Sequence, residues 1–550
     1  MVRQTASANG ILVKAYAGTS GVLLAMNVTA ERRAGLLGFA LKRVDGRNGK
    51  REWLLGALPF PHMTVAPGTP LRTNIAPIQK FRWSDYRVYP GTSYEYEVYP
   101  VYGTAERPEL GDKVAIAIQT AAATNTEHSI LFNRAAAASQ AFSRKFPGVE
   151  AALAAARKAK QPPPPLPPEV LDWLSRGVLE QITGLLSQAA DPTWAVDIAI
   201  YEYELEAIAQ AVLAAHSRGV NLRLVYHAKP NDPQTAENEH HLADLPAAVK
   251  RARLTSAICH HKFIVLSRLE QGQRVPQAVL CGSTNFTHNG VYRQANVVHV
   301  INRSDVAQDY LNLFEGLFRG DAPTATRQYV NQANPLPPTQ PLFAGFSPRS
   351  KYIDLNTFIT LVNTAQRDLL FCTTFNIYDD LETAFLGAPH DPILRYGLQN
   401  TRSTITGVHG DRTADFTATA MLSDGLEGFL KESTKGQKGN ILIHTKLIVV
   451  DFTSDAPIVI SGSHNFSGNA SRNNDENFLI IQGNTDVADC YGCELMRLYD
   501  HYRFRYKVKD AIAQGEAVQA PRLKPNDSWT DEYFSPGSLK LADRLRFSGQ

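Results

Sequence analysis

Little in this chain favours a membrane, a secreted fold or a metal centre. Only five cysteines, an odd number, occur in 550 residues: Cys259, Cys281, Cys372, Cys490 and Cys493. They fall inside element-like stretches and predict reduced thiols, not a disulfide framework. Cys490 and Cys493 form a lone C-x-x-C with no second pair, which argues for two helix positions near a core face. No run approaches the ~18 apolar residues of a membrane span, and the opening MVRQTASANG lacks the apolar core of a secretory signal. The expectation is a cytoplasmic protein without stable membrane insertion. An excess of one charge is missing too, since 56 Lys and Arg stand against 53 Asp and Glu. So weak a basic balance neither demands nor excludes nucleic acid, because a basic groove is a local feature. No acidic cluster with divalent-ligand spacing is evident, so no metal or other cofactor is expected.

What is present describes an ordinary globular composition, 44% hydrophobic and 20% charged. Residues 8–122 read as all-β. Ile11 to Tyr16, Val22 to Val28 and Leu36 to Val44 are short apolar runs separated by turn residues. Asp45-Gly46 and Asn48-Gly49 are hairpin signals before Trp53. Tyr94, Tyr96 and Val98 alternate with Glu95 and Glu97 after Pro90-Gly91, and Val114, Ile116 and Ile118 alternate as a closing strand. This segment resembles the tyrosine-corner strand of fibronectin type III and immunoglobulin-like sandwiches. A β-sandwich is therefore expected over 1–123, acting as a spacer or binding module. It has no share in the motifs described next, so a chain starting near Thr124 is expected to fold and keep its chemistry.

From Ile130 the pattern is mixed. Ala135 to Phe146 and Val149 to Lys160 read as helices, followed by a proline tract over 161–168 that favours a solvated polyproline II connector. Val196 to Tyr201 is a strand, Leu205 to Ser217 a helix and Val220 to Tyr226 a strand. The plan repeats with Lys351 to Asn363 as a helix and Leu369 to Phe375 as a strand. Alternating elements of this kind predict an α/β fold with a parallel or mixed sheet covered by helices. The expected division is 124–345 for one half, 346–510 for a second and 511–550 for a C-terminal extension.

The halves also share chemistry-bearing residues. His260-x-Lys262 is followed by Gly282-Ser283-Thr284-Asn285. His444-x-Lys446, with Asp451 beyond it, is followed by Gly462-Ser463-His464-Asn465. Gly282 to Asn302 aligns without gaps on Gly462 to Gln482. Duplication of this kind suggests two fused copies about a pseudo-twofold axis. Apolar runs flank both H-x-K triplets, so each is expected on a buried strand with His and Lys on one face. A Gly-Ser turn at a strand end is expected to let backbone approach a phosphate. One imidazole can attack a phosphodiester while another protonates the leaving oxygen. Two lysines and two amides can hold the charge that builds on phosphorus.

These residues resemble the phospholipase D superfamily over roughly 128–510. The resemblance implies two-step transfer through a phosphohistidine without metal. The matching positions are His260, Lys262, Ser283 and Asn285 in one motif, and His444, Lys446, Asp451, Ser463, Asn465 and Glu476 in the other. The family's usual order implies His260 as nucleophile and His444 as general acid. Ser267 stands where the second copy has Asp451, and Asn296 where it has Glu476. If each polar partner serves its own motif's histidine, Glu476 steadies the proton on His444 and makes it the acid; a crossed pairing would reverse that assignment. A phosphodiester hydrolase acting on nucleic acid is the leading expectation, with phospholipid headgroup cleavage or transfer as the rival and an inactive phosphate-binding scaffold as the third reading. Lys250-Arg251-Ala252-Arg253 and Arg503-Phe504-Arg505-Tyr506-Lys507 are candidate backbone grips or plain solvated faces. The oligomeric state is left open; with both motifs in one chain, a monomer could be active.

Overall fold

The computed structural model describes residues 3–66, 69–134, 142, 145–254, 257–419, 442–513 and 521–550. The N-terminal region is all-β, with antiparallel pairing throughout. One sheet runs Gln4–Ala8, Ile11–Ala17, Val22–Val28, Arg82–Asp85. The other runs Pro108–Leu110, Ser93–Gly103, Gly38–Asp45, Arg51–Trp53, with Val114–Gln119 also pairing Ser93–Gly103. In Val114–Gln119 every second residue is buried, as strict apolar alternation demands. The hairpin signal is real: Gly49, at φ +68°, donates its N–H to the Asp45 carbonyl at 2.7 Å. The Tyr94 hydroxyl accepts the backbone N–H of Tyr89 at 2.9 Å, the bond a tyrosine corner makes.

The rest of the chain holds two sheets of the same plan. The first is ordered His128–Phe132, Val297–Ile301, Gln273–Gly282, Lys262–Glu270, Trp194–Ile200, Asn221–His227, Lys250–Arg253. The second is ordered Leu342–Ser347, Glu476–Gln482, Ile458–Gly462, Lys446–Val450, Asp368–Thr373, Leu394–Gln399, Ala414–Ala418, Gly407–His409. Both are mixed. Trp194–Ile200, Asn221–His227 and Lys250–Arg253 pair in parallel, as do their counterparts Asp368–Thr373, Leu394–Gln399 and Ala414–Ala418. The motif strands pair antiparallel to them.

Three expectations change here. The boundary at 345/346 cuts the strand Leu342–Ser347, which pairs with Glu476–Gln482, so the second half begins before Leu342. The boundary at 510/511 likewise falls inside the helix Thr485–Ala513. The N-terminal region is also not a detachable spacer. Tyr16, Leu23 and Ala25 belong to one apolar core with Phe263, Tyr310, Leu447 and Tyr491 of the two motif-bearing halves. The Tyr16 ring lies 5.1 Å from that of Phe452. Arg3 pairs with buried Asp489 at 2.8 Å. From the other end of the chain, Trp529 and Tyr533 enter the core of the N-terminal sheets. The reason is apolar supply: on the face turned from their own sandwich Tyr16, Leu23 and Ala25 are buried, beside half-buried Leu12 and Lys14.

Helix Pro147–Lys158 matches expectation, whereas the helix read over Ala135 to Phe146 lies largely outside the described residues. Residues 161–167 carry no regular structure, and Pro168 opens the helix Pro168–Ser175, where a missing N–H costs nothing. Cys490 and Cys493 are free thiols buried on the Thr485–Ala513 helix, packed near Gly18.

Candidate active site

Each motif strand starts at its lysine, Lys262–Glu270 and Lys446–Val450. The histidine lies two residues earlier, in an extended segment that crosses to the other half. His260 donates its backbone N–H to the Asp475 carbonyl at 2.9 Å, and Asp475 donates back to Ile258. Symmetrically, His444 N–H reaches the Ala295 carbonyl at 2.9 Å and Ala295 donates to Leu442. Each histidine is thus laced to the residue preceding Glu476 or Asn296 of the opposite half.

That lacing decides the side-chain pairing. His260 Nδ1 lies 2.7 Å from Glu476 Oε2, and His444 Nδ1 lies 3.0 Å from Asn296 Oδ1. Own-motif pairing is therefore corrected to crossed pairing. Ser283 and Ser463 do not point at a substrate site. Their hydroxyls donate to Asn296 Oδ1 at 2.8 Å and Glu476 Oε2 at 2.7 Å, so each fixes the partner of the other half's histidine. The Asn296 amide N–H donates to the Gly290 carbonyl at 2.9 Å, leaving its oxygen toward His444. Around both Nδ1 atoms every hydrogen-bond partner is an oxygen acceptor, the Ser283 carbonyl included at 3.0 Å. The proton therefore sits on Nδ1, and Nε2 is the free nitrogen on each ring.

The two rings stand 6.4 Å apart, centroid to centroid. Lys262 Nζ donates to the His260 carbonyl at 2.9 Å and Lys446 Nζ to the His444 carbonyl at 2.6 Å. All four are buried. Burial first, then the two ammonium groups, hold both imidazoles well below the usual histidine range. Burial lowers Lys262 to about 8 and pulls Lys446 well down as well. Burial raises the Glu476 carboxyl. Two buried lysines beside two imidazoles, only partly offset by Glu476 and Glu202, suit a phosphodiester.

The glycines have a different reason from the one expected. A Cβ on Gly282 would meet the Val297 carbonyl oxygen at 2.2 Å, and one on Gly462 the Asn477 oxygen at 2.3 Å. They admit the neighbouring strand, not a phosphate. Asn285 and Asn465 each keep a buried amide oxygen with no partner among the described residues. Asp451 lies apart from the site, at the far end of Lys446–Val450, where its carboxylate accepts the backbone N–H groups of Gln366, Arg367 and Asp368. Buried Ser267 occupies its place in the first half.

Sequence reasoning missed Glu202 and Tyr201. The Asn285 amide donates to the Glu202 carboxylate, whose pKa is raised by burial and opposed by Lys262. The Tyr201 ring packs 5.2 Å from His260, with Lys262 Nζ 5.2 Å above it. Both follow the C-terminal end of a central parallel strand, the place where α/β sheets hold ligands, and that position was the available signal. In the second half Thr374 and Phe375 follow Asp368–Thr373 in the same way, and Phe375 is 46% exposed. The basic cluster at 250–253 is consumed internally: Arg253 pairs with Asp475 at 2.9 Å and Lys250 caps the Leu242 carbonyl. In the other cluster Arg503 pairs with Asp415.

A family model described as "Cardiolipin synthase, PLD-like domain" matches residues 184–318 and 413–499, the two segments that carry the duplicated motifs. Among solved structures, a phosphatidylserine synthase from Haemophilus influenzae Rd KW20 is similar at 11% identity, covering 68% of this chain and 93% of that one, with a TM-score of 0.41. Polyphosphate kinase from Porphyromonas gingivalis is similar at 12% identity and TM-score 0.39; 56% of this chain is covered, but only 46% of that one. Yeast tyrosyl-DNA phosphodiesterase follows at 15% identity, 54% and 84% coverage and TM-score 0.30. No curated protein matches. Two histidine-lysine half-sites fold onto one another, and the segments that carry them are the ones similar to the PLD-like family model.

Proposed function

We propose that the chain is a metal-independent phosphodiesterase that works through a phosphohistidine on His260, with His444 as general acid and nucleic acid as substrate. The observation that carries this is the crossed, unequal pairing of the two histidines. The rule that a carboxylate partner marks the acid now points to His260, yet the charge on the intermediate argues otherwise. When Nε2 of His260 bonds to phosphorus, the ring becomes cationic and its Nδ1–H remains on Glu476, which neutralises it. Asn296 offers His444 only a neutral oxygen, so the imidazolium there is the stronger acid. In the first step the N–P bond forms, the P–O bond to the leaving group breaks, and His444, which takes up a second proton on Nε2 when the anionic substrate fills the site, gives that proton to the departing oxygen. In the second, water attacks phosphorus, His444 takes its proton and the N–P bond breaks. Lys262 and Lys446 hold the equatorial charge. Glu202 beside Lys262 offsets part of the positive charge of the empty site.

For nucleic acid, the supporting feature is exposed Phe375, two residues past the C-terminal end of Asp368–Thr373, a ring on which a base can stack. A second reading, phospholipid headgroup cleavage or transfer, has its own support. The matched family description names a cardiolipin synthase. In addition Leu254, 70% exposed, follows Lys250–Arg253 at the same end of the sheet as Tyr201. One assay tests both, with EDTA present throughout: single-stranded DNA, RNA, duplex DNA and phosphatidylcholine vesicles, each with and without a primary alcohol as acceptor. Oligonucleotide cleavage supports the first reading. Headgroup release or exchange, with every oligonucleotide intact, replaces it with the second.

A further inference from the structure

The seam between the N-terminal sheets and the catalytic region holds a cleft of about 880 Å³, and none of the active-site histidines, lysines or serines lines it. Trp83 to Tyr89 form one wall. Arg134, Trp173, Arg176 and the face of the Thr485–Ala513 helix that carries Arg497 form the other. Eight lining residues are Lys or Arg and two, Asp85 and Asp500, are acidic.

The carboxylates there are already engaged. Asp500 pairs with Arg82 at 2.8 Å, and Asp85 with Arg43, outside the cleft, at 2.7 Å. Glu494 beneath them holds both Arg176 at 3.0 Å and Arg497 at 2.5 Å. Arg134 is left over. Its guanidinium lies 5.0 Å from the Trp173 ring and has no carboxylate partner among the described residues. The chain from Ala135 to Pro147 contains no acidic residue that would supply one. Arg134 Nε and Arg176 Nε are both buried without a hydrogen-bond partner among the described residues. Burial, with repulsion from Arg176 and Arg497, brings Arg134 down to about 9.

Like charges gathered in a desolvated place raise the energy of the folded chain, and a multivalent anion relieves them. The planar forks of Arg match phosphate oxygens two at a time. A volume of this size lies in the range of small-molecule sites, far above what one phosphate fills. We propose that this cleft is a second, non-catalytic site that binds a multiply phosphorylated ligand across the seam between the N-terminal region and the catalytic core. The phosphate chain is the shared chemistry; inorganic polyphosphate and a nucleoside triphosphate are its two candidate sources, and Trp83 and Trp173 give the latter flat surfaces for a base.

Calorimetric titration of the full chain at low ionic strength tests this, using sodium tripolyphosphate and ATP separately against wild type, Arg134→Met and Lys262→Met. The expected result is a binding event that survives Lys262→Met and weakens about tenfold or more in Arg134→Met, the loss of one charge-assisted contact. Ligand-free Arg134→Met should melt no lower than wild type, because it removes a charge that nothing pairs. Tighter binding of ATP than of tripolyphosphate assigns the site to nucleotides; equal binding assigns it to the phosphate chain alone. Unchanged affinity in Arg134→Met, or binding lost only in Lys262→Met, overturns the proposal. Should Arg134→Met fail to fold, Lys145→Glu on the exposed rim reads out the same loss.

Discussion

Glu476 hydrogen-bonds a histidine that lies 216 residues away in sequence, His260, and leaves His444 of its own motif to Asn296. This exchange makes the two halves chemically unequal, and most of the expected behaviour follows from it.

His444→Ala should accumulate a covalent, acid-labile phosphoenzyme with a p-nitrophenyl phosphodiester, whose leaving group needs no proton. His260→Ala should form none. Intact-mass measurement after denaturation reads the adduct, and peptide mapping places it. Phosphorus on His444 in the wild-type chain would reverse the two roles while leaving the phosphodiesterase reading in place.

Glu476→Gln should slow phosphoenzyme formation by about 10- to 100-fold, the worth of a charge-assisted hydrogen bond in the transition state. Asn296→Glu should instead weaken His444 as an acid, with its largest effect on substrates that have poor leaving groups. Comparing p-nitrophenyl and alkyl leaving groups in both variants checks this. Equal sensitivity in the two would falsify the division of labour.

Activity should survive excess EDTA, since imidazole, ammonium and amide groups supply the chemistry. Among the described residues no group of three His, Cys, Asp or Glu side chains is placed to hold a metal ion. Complete loss on chelation, restored by magnesium or zinc, would refute the mechanism.

Stability should fall as pH drops below about 6.5. Eight histidines (128, 227, 260, 261, 288, 299, 444 and 501) have folded-state pKa values depressed chiefly by burial, His261 and His288 to about 4. The unfolded chain takes up those protons first, so the loss sets in near 6.5 and deepens toward 4. Above about pH 7 these groups are neutral in both states and contribute nothing. Inorganic phosphate should stabilise more at pH 6 than at pH 8, because a bound anion lets a site histidine hold its proton. Thermal melts from pH 5 to 8, with and without phosphate, measure both.

A chain starting at Thr124 should melt at least about 10 °C lower or aggregate, for it uncovers the apolar surface that Tyr16, Leu23 and Ala25 cover. A soluble fragment with native stability would show the seam to be dispensable after all.

The duplicated fold and the two motifs that the structure brings together were legible because the signals are local. Alternating apolar runs marked the strands, and H-x-K with G-S-x-N recurred at matching places. What could not be read was which half serves which histidine. The bond from His260 to Glu476 depends on how two sheets face one another, and no spacing encodes that. Glu202 was missed for the same reason: a lone acid after a strand gains meaning only once Lys262 and Asn285 stand around it. The Gly-Ser pairs were recognised but misread, because the carbonyls at 297 and 477 that exclude a Cβ come from strands further along the chain.

The exchanged partners also bear on why both motifs sit in one polypeptide. Two identical copies assembling as a dimer would give each histidine the same neighbour, and symmetry would forbid a specialist for attack and a specialist for proton delivery. Joining the copies lifts that restriction. A single substitution at 296 or 476 then alters one imidazole only, and does so from the opposite half. Selection on leaving group or acceptor can therefore act on one half of the reaction while the other half holds still.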